Sequence, residues 1–373
     1  MIKPVKVAIL SCNHGHARKY YGLGLPYYEL VGVSVAEGYK DRVGLETIPH
    51  VPQYDSDDAL FAAHPEIEAV VIGSDNASHF RQVKWAVERG LHILSMKVPT
   101  FDMNEYEQML TMTRNAGLVC MIELEMRHHA EILRIKDLID NGEIGDVISI
   151  TALNYSHNPV WWRPWQANPE ASYGKRVPLY PGADRFRGGA LADHPHIFDV
   201  IRFLLEDDFD ELYADVGPNL RDTEIEEMIP IIGKTKKGVA VSIDPSYATV
   251  ENKVDKMGAW NWKKAPKTVE VTMTVHGTKG SIIADVFGLW FFQNGGPDNV
   301  YAGEQSARKF SLNSLPMQFY HAVRGIKLPA VGLEYHYNTI AAMNAAYESV
   351  FTGQPAKVLN RYFTDPQEGG RAE

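Results

Sequence analysis

Residues 69–95 read AVVIGSDNASHFRQVKWAVERGLHILS, and this stretch decides the fold. An apolar run, AVVI at 69–72, gives way to a helical pattern over 79–89 that Gly90 closes, and a second run, HILS, follows at 92–95. Short continuous apolar runs joined by a helix predict parallel strands buried on both faces. The pattern extends both ways. Upstream, VKVAIL at 5–10 and ELVGVSV at 29–35 read as strands, with a helix over 16–23 between them. A short helix over 57–64 follows, capped by Asp55 or Ser56. Downstream, 104–115 reads as a helix closed by Ala116 and Gly117, and LVCMI at 118–122 as a fifth strand. Right-handed β-α-β crossovers assemble such units into an α/β, Rossmann-like, doubly wound parallel sheet.

The pattern changes after residue 126. Ile132, Ile135, Leu138 and Ile139 fall at helical spacing, Asn141-Gly142 ends that helix, and 146–155 reads as a strand. Residues 156–187 are rich in Trp, Pro, Tyr and Arg and have little periodicity. So long a connection inside a compact domain is usually functional. A helix returns over 196–205. Beyond 210, strands dominate. In TVEVTMTV at 268–275, Val269, Val271, Met273 and Val275 alternate with polar residues, which predicts one buried and one wet face. Residues 239–243 and 281–292 read as further strands, and 336–352 as a helix stopped by Gly353. The expected organisation is therefore a dinucleotide-binding domain over 1–126. A substrate-binding and oligomerisation α+β domain follows over 127–373, built on an open, mostly antiparallel sheet.

Asp and Glu number 47 against 37 Lys and Arg, and the net charge of −10 argues against nucleic acid, whose phosphates need clustered basic residues. No apolar run approaches the ~18–20 residues that span a bilayer. The first dozen residues do not read as a signal peptide. Cys12 and Cys120 sit in or beside apolar runs and read as free thiols, so a cytoplasmic protein is expected.

Several residues could carry chemistry. The turn after the first strand is Ser11-Cys12-Asn13-His14-Gly15-His16, with Ser, Asn and His at the three positions of G-x-G-x-x-G. Asn tolerates a left-handed backbone and Ser or Asn can cap the next helix, so the turn suits either an anion or no ligand at all. Glu37, just past the second strand, stands near where a carboxylate binds the ribose hydroxyls of NAD and disfavours NADP. Lys97, after the fourth strand in HILSMKVP, points into the crevice where such folds bind ligands. Asp193, His194 and His196 in LADHPHIFD suit a general base with its orienting partner, or a helix cap. Glu123, Glu125, Arg127, His128 and His129 crowd the end of the fifth strand. Strand ends and the 193–196 turn share one crevice, which would let His157, Asp193, His194, His196, Glu123 and Glu125 converge on a metal. The spacing matches no zinc pattern, and a metal-free site is preferred. Trp161, Trp162, Trp165, Tyr173 and Tyr180 could stack on sugar rings, while Asn154, His157, Arg163 and Arg187 supply hydrogen bonds. No P-loop and no G-x-S-x-G elbow occurs.

Taken together, the segments resemble the glucose–fructose oxidoreductase / inositol dehydrogenase (Gfo/Idh/MocA) family. VKVAILSCNHGHA resembles its first strand and phosphate turn, and VPQYDSDDALFAAHPEIEAVVIGSDNASH its segment ending at Asn76 and His79. GLHILSMKVPTFD resembles its E-K-P motif, with Lys97 at the lysine, Met96 at the glutamate and Pro99 one place late. RHHAEILRIKDLIDNGEIGDVISI, HGTKGSI and AAYESVFTGQP resemble later signatures. The resemblance implies hydride transfer between NAD, less so NADP, and a hydroxyl-bearing carbon of a sugar, cyclitol or glycoside. It implies Lys97, Asp193 and His196 as the catalytic set. Ser11, Asn13, His14, His16, Glu37, Ser74, Asn76, His79 and Lys97 would hold the cofactor. Arg127, His128, Asn154, His157, Trp161, Trp162, Arg163 and Trp165 would meet the substrate. A homo-oligomer (dimer, tetramer or hexamer) is expected, and no metal is required. Two alternatives stay open: a glycoside-cleaving enzyme with tightly bound NAD and transient oxidation, and a non-catalytic sugar- or nucleotide-binding member.

Overall fold

The computed structural model describes residues 3–14, 16–17, 27–35, 51–156, 164–247, 269–285, 290–293 and 314–361. Six strands form a wholly parallel sheet: β1 (Val5–Leu10), β2 (Tyr28–Ser34), β3 (Gln53–Tyr54), β4 (Ala69–Ile72), β5 (His92–Ser95) and β6 (Cys120–Ile122). Their order is β3-β2-β1-β4-β5-β6. The order reverses between β1 and β4, which makes the carboxyl ends of those strands the natural ligand crevice. β4 and β6 are buried at every residue, as expected of strands covered on both faces.

Short polar caps start the covering helices. Ser56 Oγ accepts from the Ala59 N–H at the head of α1 (Asp57–Ala63). Asp75 does the same for Ser78 in α2 (Asn76–Glu88), and Asp102 for Asn104 and Glu105 in α3 (Met103–Asn115). Asp75 and Asp102 thus end the turns that leave β4 and β5. A Cβ on Gly73 would stand 2.5 Å from both the Ser11 carbonyl oxygen and Ala17 Cβ. Only glycine lets the exit of β4 pass this close to the turn after β1. Of the helix expected over 16–23, only residues 16–17 lie among the described residues.

The second sheet follows α4 (Ala130–Asp140) and β7 (Val147–Ser156). After these come α5 (Pro169–Ser172), α6 (Ala190–Asp193), α7 (Pro195–Leu205), β8 (Phe209–Ala214), β9 (Ile231–Thr235) and β10 (Ala240–Ser246). The chain continues through β11 (Val269–Gly277), β12 (Ser281–Asp285), β13 (Trp290–Gln293), α8 (Ser314–Val323), α9 (Leu333–Thr352) and β14 (Ala356–Lys357). The order is β13-β12-β11-β7-β10-β9-β8-β14, antiparallel except where β10 runs beside β7. The run expected as one strand over 281–292 is instead two antiparallel strands, with Ile282 opposite Phe292.

One face of this sheet is buried. Ile150, Ala152, Val241, Ile243, Val271, Met273 and Val275 pack in one core with Ile197, Phe198 and Ile201 of α7 and Ile340 of α9. The other face is open. Tyr213, Ile232, Ser242, Thr151, Thr274 and Ile283 pair in register across six strands, and Tyr213, Ile232, Thr151 and Ile283 are exposed. The chain also crosses back. Leu315, Phe319 and Tyr320 of α8 pack on Val5, Val7, Ile9, Leu94 and Met121 of the first sheet, so a single cut at residue 126 separates α8 from the sheet it covers. Both cysteines are free thiols. Among the described residues, no helix is long and apolar enough to cross a membrane.

Candidate active site

The residues singled out above gather where the strands of the parallel sheet end. Ser11, leaving β1, adopts φ +67°, a conformation that favours glycine. Its Oγ accepts from the Asn13 N–H at 3.3 Å, and the His14 N–H donates to the Gly73 carbonyl at 2.8 Å. The turn is thus closed by side-chain and backbone bonds in place of the missing glycines. Asn13 Nδ2 is a buried donor with no hydrogen-bond partner among the described residues, which suits an anionic oxygen at this turn. Trp165, expected as a sugar platform, instead covers the turn. Its Nε1 donates to the Asn13 carbonyl at 3.2 Å and its ring tilts over His14 at 6.2 Å.

Lys97 follows β5, and its peptide bond to Val98 is cis. The lysine is only 4% exposed, and a buried ammonium needs a partner. Asp193 at the end of α6 supplies it twice. Lys97 Nζ donates to the Asp193 carbonyl oxygen and, at 2.6 Å, to Oδ1. Gln166 Nε2 donates to the same Oδ1 at 2.7 Å. His196, buried in the first turn of α7, follows Asp193 by three residues.

Beside it lies a second group. Glu123, immediately after β6, is fully buried, and its Oε2 lies 3.0 Å from His16 Nδ1. Ligand atoms of His16, Glu123 and His196 all lie within 4.8 Å of one another. Glu125 approaches the same His16 nitrogen at 3.8 Å. The site thus joins the turn after β1, the ends of β5 and β6, and the α6–α7 corner.

Other expected residues lie elsewhere. Both ring nitrogens of His79 are taken by backbone carbonyls, Val98 at 2.7 Å and Ser74 at 3.2 Å, and the ring is fully buried. It ties two strand exits together rather than facing a cofactor. Ser74 Oγ donates to Gln82 at 2.6 Å, inside α2's packing. Asn76 Nδ2 donates to the Ser172 carbonyl at 2.8 Å, while its Oδ1 is a buried acceptor with no partner among the described residues. His194, weighed above as one possible metal ligand, has Nδ1 2.6 Å from the Ala190 carbonyl and Nε2 3.0 Å from Ser156 Oγ.

Arg127 is a correction. Asp199 engages its guanidinium through Nε at 2.8 Å and through Nη2, and the ring of Tyr335 lies 4.5 Å away. A donor fork held this fully is not presented to a substrate. Next to it, burial first and then Arg127 and His129 push His128 down to about 3, so that ring is neutral. Tyr173 stacks on Phe101 at 4.7 Å and is a packing residue. Asn154 is buried on the same face of β7 as Ser156, two residues on and in contact with His194. Glu37, His157, Trp161, Trp162 and Arg163 lie outside the described residues.

Gln166 and Ser156 were missed by the sequence reading. Gln166 is a lone amide in PWQA and carries no spacing signal. Ser156 was legible only through the alternation of β7.

Comparison with known proteins agrees with this fold. Residues 26–124 match the profile described as an oxidoreductase family with an NAD-binding Rossmann fold, and residues 132–283 match the GFO/IDH/MocA C-terminal domain. The oxidoreductase YrbE of Bacillus subtilis is 25% identical over 79% of this chain and 74% of its own length. The myo-inositol 2-dehydrogenase of Thermotoga maritima is 23% identical over 66% of this chain, and the match spans 63% of that relative's length. Among solved structures, an oxidoreductase of Agrobacterium radiobacter in complex with NAD+, L-tartaric acid and magnesium superposes with a TM-score of 0.77 at 18% identity, covering 95% of this chain and 99% of that one. The WlbA dehydrogenase of Chromobacterium violaceum, in complex with NADH and UDP-GlcNAcA, gives 0.75 at 16% identity, covering 95% and 96%.

Proposed function

Because the chain belongs to the GFO/IDH/MocA family of oxidoreductases, we propose that it oxidises a ring hydroxyl of a sugar, cyclitol or glycoside to a ketone with a nicotinamide dinucleotide, NAD rather than NADP. The observation that carries this reading is the buried Lys97–Asp193 pair, with His196 one turn away, at the carboxyl edge of the parallel sheet.

The residues present fit a dinucleotide. The Asn13 amide, unpartnered among the described residues, and the close passage at Gly73 would together cradle phosphates. Ser11, His14, His16 and Asn76 would contribute to it, and Glu37 would take the ribose hydroxyls. When bound, the nicotinamide supplies the hydride acceptor. The rest falls to side chains. His196 accepts the hydroxyl proton at a ring nitrogen. Lys97 polarises the same oxygen, its ammonium aimed by Asp193, which Gln166 holds in turn. Proton-transfer groups of this kind contribute ~10²–10⁴-fold each. Trp165 shields the turn from water. The two free thiols suit a reducing cytoplasm.

The test is a titration with NAD and NADP, followed by absorbance of the reduced dinucleotide with pyranoses, inositols and nucleotide sugars. NAD should bind more tightly, Glu37→Ala should narrow the gap, and at least one cyclic polyol should reduce NAD. Failure to bind either dinucleotide ends the reading. Preference for NADP by the unmodified protein ends the assignment of Glu37.

The open sheet face supports self-association. Tyr213, Ile232 and Ile283 are exposed on this face, with Ser242, Thr151 and Thr274 between the two isoleucines, and a second copy would cover them. Ile232→Lys should lower the mass seen by light scattering, with unfolding temperature measured alongside. An unchanged oligomer in the folded variant removes this face from the interface.

A further inference from the structure

We propose that His16, Glu123 and His196 form a binding site for a divalent first-row transition ion, with zinc the leading choice. Three side chains from three separate elements each bring one possible ligand atom within 4.8 Å of the other two. The His16 Nδ1–Glu123 Oε2 separation is already 3.0 Å. Bonds of ~2.0–2.1 Å at tetrahedral angles set ligand atoms about 3.4 Å apart, so small side-chain rotations complete the site. The donor set decides the class of ion. Two imidazoles and one carboxylate suit zinc, iron, cobalt or nickel, whereas magnesium and calcium prefer oxygen throughout.

The setting supports an ion. Glu123 is fully buried, and a cation beside a buried carboxylate stabilises its charge. His16 is the ligand that reaches solvent, with a side chain 24% exposed, so it marks the entry side. The His14 ring stands edge-on to His16 at 4.9 Å, which limits the ring's swing. Glu125, 3.8 Å from His16, adds negative charge at the rim. Three protein ligands leave a fourth position for water or a substrate oxygen, the pattern of open rather than structural sites.

An ion at this place engages the imidazole assigned above to proton removal. Metal loading and proton abstraction by His196 therefore exclude one another, and the ion acts as a brake on the dehydrogenase. That regulatory meaning rests on the proposed function, whereas the binding itself does not.

The experiment is a titration of chelator-treated, dialysed full-length protein with zinc, followed by calorimetry, and with cobalt, followed by its visible absorption. The expected result is one ion per chain and the intense visible band of four-coordinate cobalt. Outer-shell changes alone cost 10–100-fold in metal affinity, so His16→Ala and His196→Ala should each weaken binding at least ~100-fold. Glu123→Gln should do likewise, with circular dichroism confirming that each variant is folded. Sub-stoichiometric binding, or equal affinity in folded His16→Ala, overturns the site. A protein that binds zinc as expected but takes no dinucleotide keeps the metal site and loses the dehydrogenase reading. A protein that oxidises a sugar but binds no ion does the reverse.

Discussion

Lys97→Ala should lower kcat by two orders of magnitude or more while dinucleotide affinity stays nearly unchanged. Lys97 sits on Asp193, at the exit of β5, and not at the turn after β1 where phosphates would bind. Its loss should therefore show in turnover measured with saturating cofactor, and not in the cofactor's dissociation constant. His196→Ala should behave alike, and the double variant should lose far less than the product, because the two groups act on one oxygen. Lys97→Arg keeps the charge but brings a planar fork into a space shaped for an ammonium, so it should not restore turnover. Stability falls as well. Removing one partner of a buried ion pair costs about 3–5 kcal/mol, and Asp193 would lose the ammonium that it shares with Gln166. Lys97→Met combined with Asp193→Asn should recover much of that stability and none of the turnover. Near-full turnover by Lys97→Ala would show that the active site lies elsewhere.

Asp199→Ala should unfold the protein on the order of 10 °C sooner with little change in KM for the sugar. Burial disfavours the Arg127 charge, but Asp199 outweighs it, so the guanidinium titrates above its ordinary range and stays charged. Stripping away Asp199 leaves that charge buried with a long backbone contact to Ala330 at 3.4 Å and the faces of Tyr335 and Phe203 at 4.5 and 5.1 Å. The cost is again about 3–5 kcal/mol, and each kcal/mol moves the midpoint by ~2–4 °C when the unfolding unit is a domain of roughly 150–250 residues. Thermal unfolding and initial rates on the same preparation separate the two roles. A large rise in KM with an unchanged midpoint would return Arg127 to the substrate contacts originally expected of it.

Residues near one another in sequence carried most of the architecture. The β-α-β pattern of 69–95 depends on apolar periodicity and on Gly90, both local, and the parallel sheet follows from them. The hairpin of β12 and β13 was harder to see, because an uninterrupted apolar run hides the turn inside it. The packing of α8 on the first sheet was not legible, since nothing local tells an apolar helix which of two sheets to cover. Lys97 could be singled out because it lies two residues past the end of a mostly buried strand.

The partners of those residues belong to a different level. Lys97 and Asp193 are 96 positions apart, and His16 and Glu123 are 107. Local propensity acts over a few residues and sets strand, helix and cap. Which strand ends share an edge follows from sheet order, and which polar groups meet there follows from burial, since each buried charge must find a counterpart. By itself the sequence therefore determined a parallel α/β unit followed by a mostly antiparallel sheet, with its chemistry at strand ends. Only the tertiary structure decided that Arg127 is spent on Asp199, that His79 clamps two strand exits, and that His16 joins Glu123 and His196.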